Sequence, residues 1–246
     1  MPAHNFDLPL IQAISDWQRS SNSQRAERLK KACASLPAKF RTGGKHCFRQ
    51  VALTKNFVWD LIAEDCLREK VSSWTRNYRV AMDFKGGVPP EDGEFKGVII
   101  EIQKPMPGQI VVNLDRLYKD RDFLAALEAN KSLINGYADG AGRWRGSQEE
   151  VVIEVDTISK DAIRSLGGYS SSHETLEDLV HLNFIAKLGR LATAKELEYL
   201  KTRVGPSWLG RDATKRVLAR TEQHVDMLRE VRRMQQQAAA TKQHQQ

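Results

Sequence analysis

The chain has 246 residues, 41% of them hydrophobic and 28% charged, with a formal net charge of +7 and a pI near 9.3. This is an ordinary globular balance for one sizeable domain, or one domain with a smaller helical appendage. It permits a polyanionic partner without requiring one. No apolar run nears the ~18 residues of a membrane span, and no basic segment leads into an apolar core at the N-terminus, so a secretory signal is not expected. Three cysteines, Cys33, Cys47 and Cys66, are odd in number and lack ligand spacing. The six histidines are scattered, so a cytoplasmic, metal-free chain without a disulfide framework is expected.

Residues 1–45 read as a basic helical region. Leu8, Leu10, Ile11, Ile14 and Trp17 give a first helix an apolar face, with Asp7 as N-cap before Pro9. A second helix over 23–36 places Ala26, Leu29, Cys33 and Leu36 inward. Its other face carries Arg25, Arg28, Lys30 and Lys31, and the charge continues through Lys39, Arg41 and Lys45. Such a face is either solvated or a contact for nucleic acid or an acidic protein.

Residues 46–168 read as a β-rich α+β unit. A strand over 46–53 carries Arg49 in its interior, and an amphipathic helix over 56–70 turns Val58, Leu61, Ile62 and Cys66 inward. Val71-Ser72-Ser73-Trp74-Thr75 is a short hydroxyl-rich strand. It runs into a helix over 77–84, with Val80, Ala81 and Phe84 on its buried side. Strands follow at 98–102 and 110–112, then helices at 114–117 and 123–133. The loop 135–145 holds three glycines, Tyr137, Trp144 and two arginines, the composition of an active-site rim, on which Glu150 is expected as an exposed carboxylate. It leads through Gln148-Glu149-Glu150 into the apolar strand Val151-Val152-Ile153, and strand alternation turns Glu149 to solvent. Phosphate-binding glycine loops and a nucleophile elbow are absent from the sequence.

Residues 169–246 read as a helical extension. Ser171 with Glu174, and Thr193 with Glu196, have capping-box spacing. Leu176, Leu179, Val180, Phe184 and Leu188 form one apolar stripe, and Gly205-Pro206 ends the next helix. A long basic helix begins near Asp212, and residues 235–246 are expected to fray.

Arg49 in an early strand, Ser73-x-Thr75 followed by Ala81 and Phe84, and Gln148-x-Glu150 before an apolar strand stand in a characteristic order. In that order and spacing the chain resembles the mono-ADP-ribosyltransferases of the Arg–Ser–Glu type, over roughly residues 46–160. The resemblance implies an ADP-ribosyltransferase-like β-rich core flanked by the N-terminal helices and the C-terminal extension. It implies NAD as substrate, without a metal. Glu150, Ser73 and Arg49 would be catalytic. Glu150 would accept a hydrogen bond from the ribose and stabilise an oxocarbenium-like centre. Ser73 would hold that carboxylate, and Arg49 would fork onto the pyrophosphate or ribose. Thr75 would support the nicotinamide-ribose side, and Phe84, Tyr78 and Trp74 are each candidates to stack on the nicotinamide.

In that family the residue two before the glutamate helps choose the acceptor, and glutamine there accompanies asparagine, glutamine or nucleobase acceptors. Gln148 would read an amide or base edge, while Tyr137, Trp144 and Arg145 offer stacking and charge to the acceptor. Nucleic acid, RNA in particular, and protein are both candidate acceptors. The class further implies an intracellular toxin held by a partner protein, as in toxin–antitoxin or phage-defence systems, or a phage-encoded modifier of host machinery. NAD hydrolysis shares the first bond cleavage. The alternatives are a non-enzymatic basic nucleic-acid-binding protein and an interaction module whose long C-terminal helix docks in a partner's groove.

Overall fold

A computed structural model of the chain describes residues 6–90, 93–169, 173–201 and 206–243. It is a mixed α+β structure with an antiparallel sheet. The chain divides into two compact units. The first holds the chain up to Gln50, Leu67–Phe84 and Ile99–Ala162; the second holds Val51–Cys66, Lys85–Val98 and Ile163 onward.

In the first unit, helix α1 (Leu8–Arg19) starts where expected, with the Asp7 carboxylate accepting from Leu10 N at 3.0 Å. Helix α2 (Ser23–Cys33) is capped by Asn22. The two helices, read from the sequence as a region of their own, share this unit with the strands. Ile11, Ile14 and Leu29 are fully buried in one cluster with Val112, Leu114, Phe123 and Val152. Each such side chain contributes roughly 1.5–3 kcal/mol by leaving water. Phe6 sets its ring edge-on against Phe40 and Phe123.

Strands β1 (His46–Leu53), β3 (Val71–Thr75), β4 (Lys96–Gln103), β5 (Ile110–Asn113) and β6 (Glu150–Glu154) lie at the expected places. Within the unit they stand in the order β5-β6-β3-β1-β4. The antiparallel β3–β6 register pairs Thr75 with Glu150 and Ser73 with Val152, and β1 meets β3 at Phe48 and Thr75. A two-residue ladder joins β2 (Leu67–Arg68) to β7 (Thr157–Ile158). Helices α4 (Tyr78–Asp83), α5 (Leu114–Leu117), α6 (Arg121–Ala129) and α7 (Ala141–Trp144) complete the unit.

In the second unit, helix α3 (Lys55–Ile62) is shorter than the expected 56–70. Glu64 turns back to accept from Trp59 Nε1, and Asp65 takes a left-handed φ of 53°. The helix therefore ends before Cys66, which is exposed rather than inward. Strand β8 (Ile163–Tyr169) closes the stretch expected to be β-rich, where no element was assigned to it, and its antiparallel partner β9 (Pro206–Trp208) lies where helix alone was expected. Helices α8 (His173–Leu188), α9 (Ala194–Lys201) and α10 (Arg211–Gln243) follow. Thr193 and Glu196 form the reciprocal cap. Ser171 and Gly205 lie outside the described residues, as do the side chains of Leu176 and Leu179. Leu188 is exposed, which removes it from the expected apolar stripe. Instead of fraying from residue 235, α10 runs to Gln243. It packs on α3, where Arg229 donates to the Ala63 carbonyl and the Arg232 guanidinium stands 5.0 Å from the Trp59 ring centre. Among the described residues no helix is long and apolar enough to cross a membrane.

Candidate active site

Glu150 is the first residue of β6, and Ser73 lies diagonally across on β3. Strand alternation turns both toward the face where Val152 joins the α1–α2 core. Ser73 Oγ donates to Glu150 Oε1 at 2.5 Å. Helix α1 supplies the rest of the shell. Trp17 Nε1 lies 3.0 Å from Ser73 Oγ and 3.2 Å from Glu150 Oε1, and Gln18 Nε2 donates to Glu150 Oε2 at 3.1 Å. Tyr118 OH in turn donates to Gln18 Oε1 at 2.7 Å.

The direction of this chain follows from chemistry. An ionised carboxylate only accepts, so the Gln18 amide must turn its nitrogen to Glu150 and its oxygen to the phenol. Burial, and next the nearby Glu150 carboxylate, hold the Tyr118 phenol well above its ordinary range, so it stays protonated and can donate. Glu150 is 5% exposed, which corrects the expectation of a solvated carboxylate on the rim. A buried carboxylate is tolerable because these donors replace its water.

The segment before β6 is held by β3 and α4. Thr75 Oγ1 donates to the Gln148 carbonyl at 2.6 Å and accepts from Asn77 N. Glu149 adopts a left-handed φ of 48°, so strand alternation does not govern it. It is half-buried, and its carboxylate accepts from Asn77 Nδ2 at 3.0 Å, correcting its expected solvent orientation. Gly146, with φ at 77°, makes the turn an L side chain would resist. The buried Thr75 hydroxyl thus anchors the Gln148 backbone.

The rim is fastened to α1 along a line of polar residues three apart. Gln12 exchanges two hydrogen bonds with Asn135, Ser15 Oγ accepts from Ala141 N, and the Gln18 carbonyl accepts from Trp144 Nε1 at 3.1 Å. The Arg143 guanidinium stands 4.7 Å from the centre of the Trp144 ring. Arg145 donates to Tyr137 OH at 2.5 Å and pairs with Glu128 at 3.1 Å. Tyr137, Trp144 and Arg145 therefore stand as a bonded rim.

Arg49 is not brought to the Ser73–Glu150 pair by its side chain. The Phe48–Thr75 register places Phe48 on the Thr75 face, so alternation turns Arg49 to the other face. Its Nη1 donates to the Ser73 carbonyl at 3.0 Å and its Nε lies 3.5 Å from Glu69 Oε2. Burial lowers the pKa of this guanidinium and Glu69 opposes the shift.

Of the three stacking candidates, Trp74 is 2% exposed and donates to Ser72 Oγ, on the face away from Ser73. Phe84 ends α4 at 43% exposure, not on its buried side. Tyr78 packs edge-on against Phe48 at 5.3 Å, beside Thr75. The sequence reading missed Trp17, Gln18, Tyr118 and Phe48. The available signal was the Gln12, Ser15, Gln18 line beside the apolar stripe of α1. Among the described residues no group of three or more His, Cys, Asp or Glu could hold a metal ion. No family model matches the chain, and neither the curated proteins nor the solved structures provide a match.

Proposed function

We propose that the chain is an NAD-dependent mono-ADP-ribosyltransferase with an ADP-ribosyltransferase-like core, acting at Glu150. The observation that carries this reading is the 2.5 Å Ser73–Glu150 hydrogen bond between adjacent strands, with Gln148 two residues before the carboxylate. A carboxylate has about four lone-pair positions, and three donors from the described residues use two on Oε1 and one on Oε2. The remaining position on Oε2 accepts the ribose hydroxyl, while the fixed negative charge stabilises positive charge developing on the ribose. The bond from ribose C1 to the nicotinamide nitrogen breaks with its electron pair leaving on nicotinamide. A lone pair of the acceptor then bonds to C1 and the acceptor's proton is released.

Tyr78 and Phe48 support an apolar wall beside the reacting centre. Arg49 enters this reading as a brace of the Ser73 backbone, in place of the phosphate contact that the resemblance implies. The proposed acceptor is RNA. Supporting it are the amide of Gln148, the Arg143–Trp144 stack, the Tyr137–Arg145 pair and the net charge of +7. An intracellular toxin role with an inhibitory partner is proposed with the class.

The test is incubation with NAD labelled in its adenylate part, with RNA, DNA and lysate protein as acceptors, beside Glu150→Gln. Label in RNA that disappears with the variant supports the reading. Label in DNA or protein moves the acceptor. Free ADP-ribose alone makes the enzyme a hydrolase, and intact NAD in every arm contradicts the activity.

A further inference from the structure

We propose that helix α1 is a working part of this active site, with Gln18 as the residue that positions Glu150 and Tyr118 as the residue that positions Gln18. The inference rests on the reading of Glu150 given above. Both donors to the carboxylate from outside the sheet come from consecutive residues of α1, Trp17 and Gln18. Consecutive helical residues diverge by about 100° around the helix axis. They converge on one carboxylate by its two oxygens, the indole N–H reaching Oε1 and the amide reaching Oε2.

The two contacts do different things. Ser73 already satisfies Oε1, and Trp17 shares its N–H between Ser73 Oγ and Oε1. Gln18 is the one described donor on Oε2, the oxygen that meets substrate in the proposed reaction. By occupying one of its two positions, Gln18 fixes the direction in which the other faces. The Glu150 carboxylate selects the nitrogen of the Gln18 amide, and the plane of that amide is set by what holds its oxygen. The Tyr118 O–H at 2.7 Å claims it, and the phenol is itself held by burial against Phe123. Flipping the amide would turn an acceptor toward a carboxylate, leaving two acceptors facing each other.

This arrangement predicts a particular kinetic signature. Loss of Gln18 leaves Glu150 and Ser73 in place but lets the carboxylate rotate, so turnover falls while NAD binding is retained. Misplacement of a reacting group on the ångström scale costs up to about 100-fold. Tyr118 acts only through Gln18, so its removal matters only when Gln18 is present.

The experiment measures nicotinamide release for the full chain, Gln18→Leu, Tyr118→Phe and the double variant, with thermal melting to confirm that each is folded. The expected result is a kcat lowered about 10–100-fold in Gln18→Leu with KM for NAD within about twofold. Tyr118→Phe should lower kcat about fivefold, and the double variant should equal Gln18→Leu alone. An unchanged kcat in Gln18→Leu, a loss confined to KM, or additive effects in the double variant would overturn the positioning role while leaving the Glu150 reading intact. Absence of release by the wild-type chain would overturn both. If Gln18→Leu fails to fold, the milder Tyr118→Phe decides: a kcat equal to wild type rejects the chain of positioning.

Discussion

At the scale of single residues, Glu150 is a buried carboxylate whose water has been replaced by Ser73, Trp17 and Gln18. Its substitutions therefore differ sharply. Glu150→Ala leaves those donors without an acceptor and is expected to cost about 2–3 kcal/mol in urea unfolding. Glu150→Gln keeps an oxygen for Ser73 and Trp17. If its nitrogen faces α1, the Gln18 amide can turn over, because the Tyr118 hydroxyl accepts as well as donates. The glutamine variant should thus melt near wild type and is the better probe of chemistry.

Tyr118 carries a pH dependence with a defined sign. Its folded pKa is raised, first by burial, so its contribution is intact below the unfolded phenol's pKa of about 10 and is lost as pH rises beyond it. Tyr118→Phe should flatten the loss of stability above about pH 10, read from urea unfolding at a series of pH values. The cysteines separate in the same way. Burial pushes the Cys33 thiol up to about 12 and the Cys47 thiol up to about 11, whereas Cys66 is exposed. Iodoacetamide on the folded chain at neutral pH should modify Cys66 alone, detected by peptide mass. Equal labelling of Cys47 would contradict its burial.

At the scale of elements, α1 organises the site from outside the sheet. Its apolar stripe enters the core and its polar line at Gln12, Ser15 and Gln18 grips the rim. Gly140 is the tight point, because a Cβ there would lie 2.5 Å from the Ser15 carbonyl oxygen. Gly140→Ala should push α7 from α1, lowering stability by about 1–3 kcal/mol and weakening nicotinamide release through the displaced Trp17 and Gln18. Melting with an unchanged midpoint would contradict that packing.

The glycines of this loop were read in the sequence as a mark of an active-site rim. One of them at least answers to helix packing. Strands β1, β3, β4, β5 and β6 and helices α1, α2 and α4 were legible because periodicity and the cap at Asp7 are local signals, whereas the two-residue β2 fell inside the expected helix over 56–70 and β7 carried no strand pattern. The end of α3 was not, since Val58, Leu61 and Ile62 give no sign of the turn back through Glu64. Strand β8 hid behind Gly167 and Gly168, and β9 is three residues beginning at a proline.

At the scale of the whole molecule, part of the basic surface is already paired. Lys30 meets Glu154 at 2.6 Å and Lys39 meets Asp120 at 2.7 Å, so the charge of the basic N-terminal region is not all available to a polyanion. If RNA is the acceptor, transfer should weaken as salt rises from about 50 to 200 mM, while nicotinamide release without RNA changes little. The pairing of Ser73 with Glu150 could be anticipated through the family resemblance that the order and spacing of their motifs carry. Their meeting with Trp17, 133 residues from Glu150 along the chain, could not. Periodicity marks Trp17 as core without saying what its N–H reaches. Nor could the orientation of Arg49, which depends on the β1–β3 register.

The proposed activity requires the Ser73-held carboxylate of Glu150 to promote loss of nicotinamide from NAD. Nicotinamide release from NAD by the wild-type chain and by Glu150→Gln, on samples matched for melting temperature, tests it most directly. The account predicts steady release by wild type and loss of at least about 100-fold in the variant. Equal release by both, or none by the wild-type chain, would contradict it.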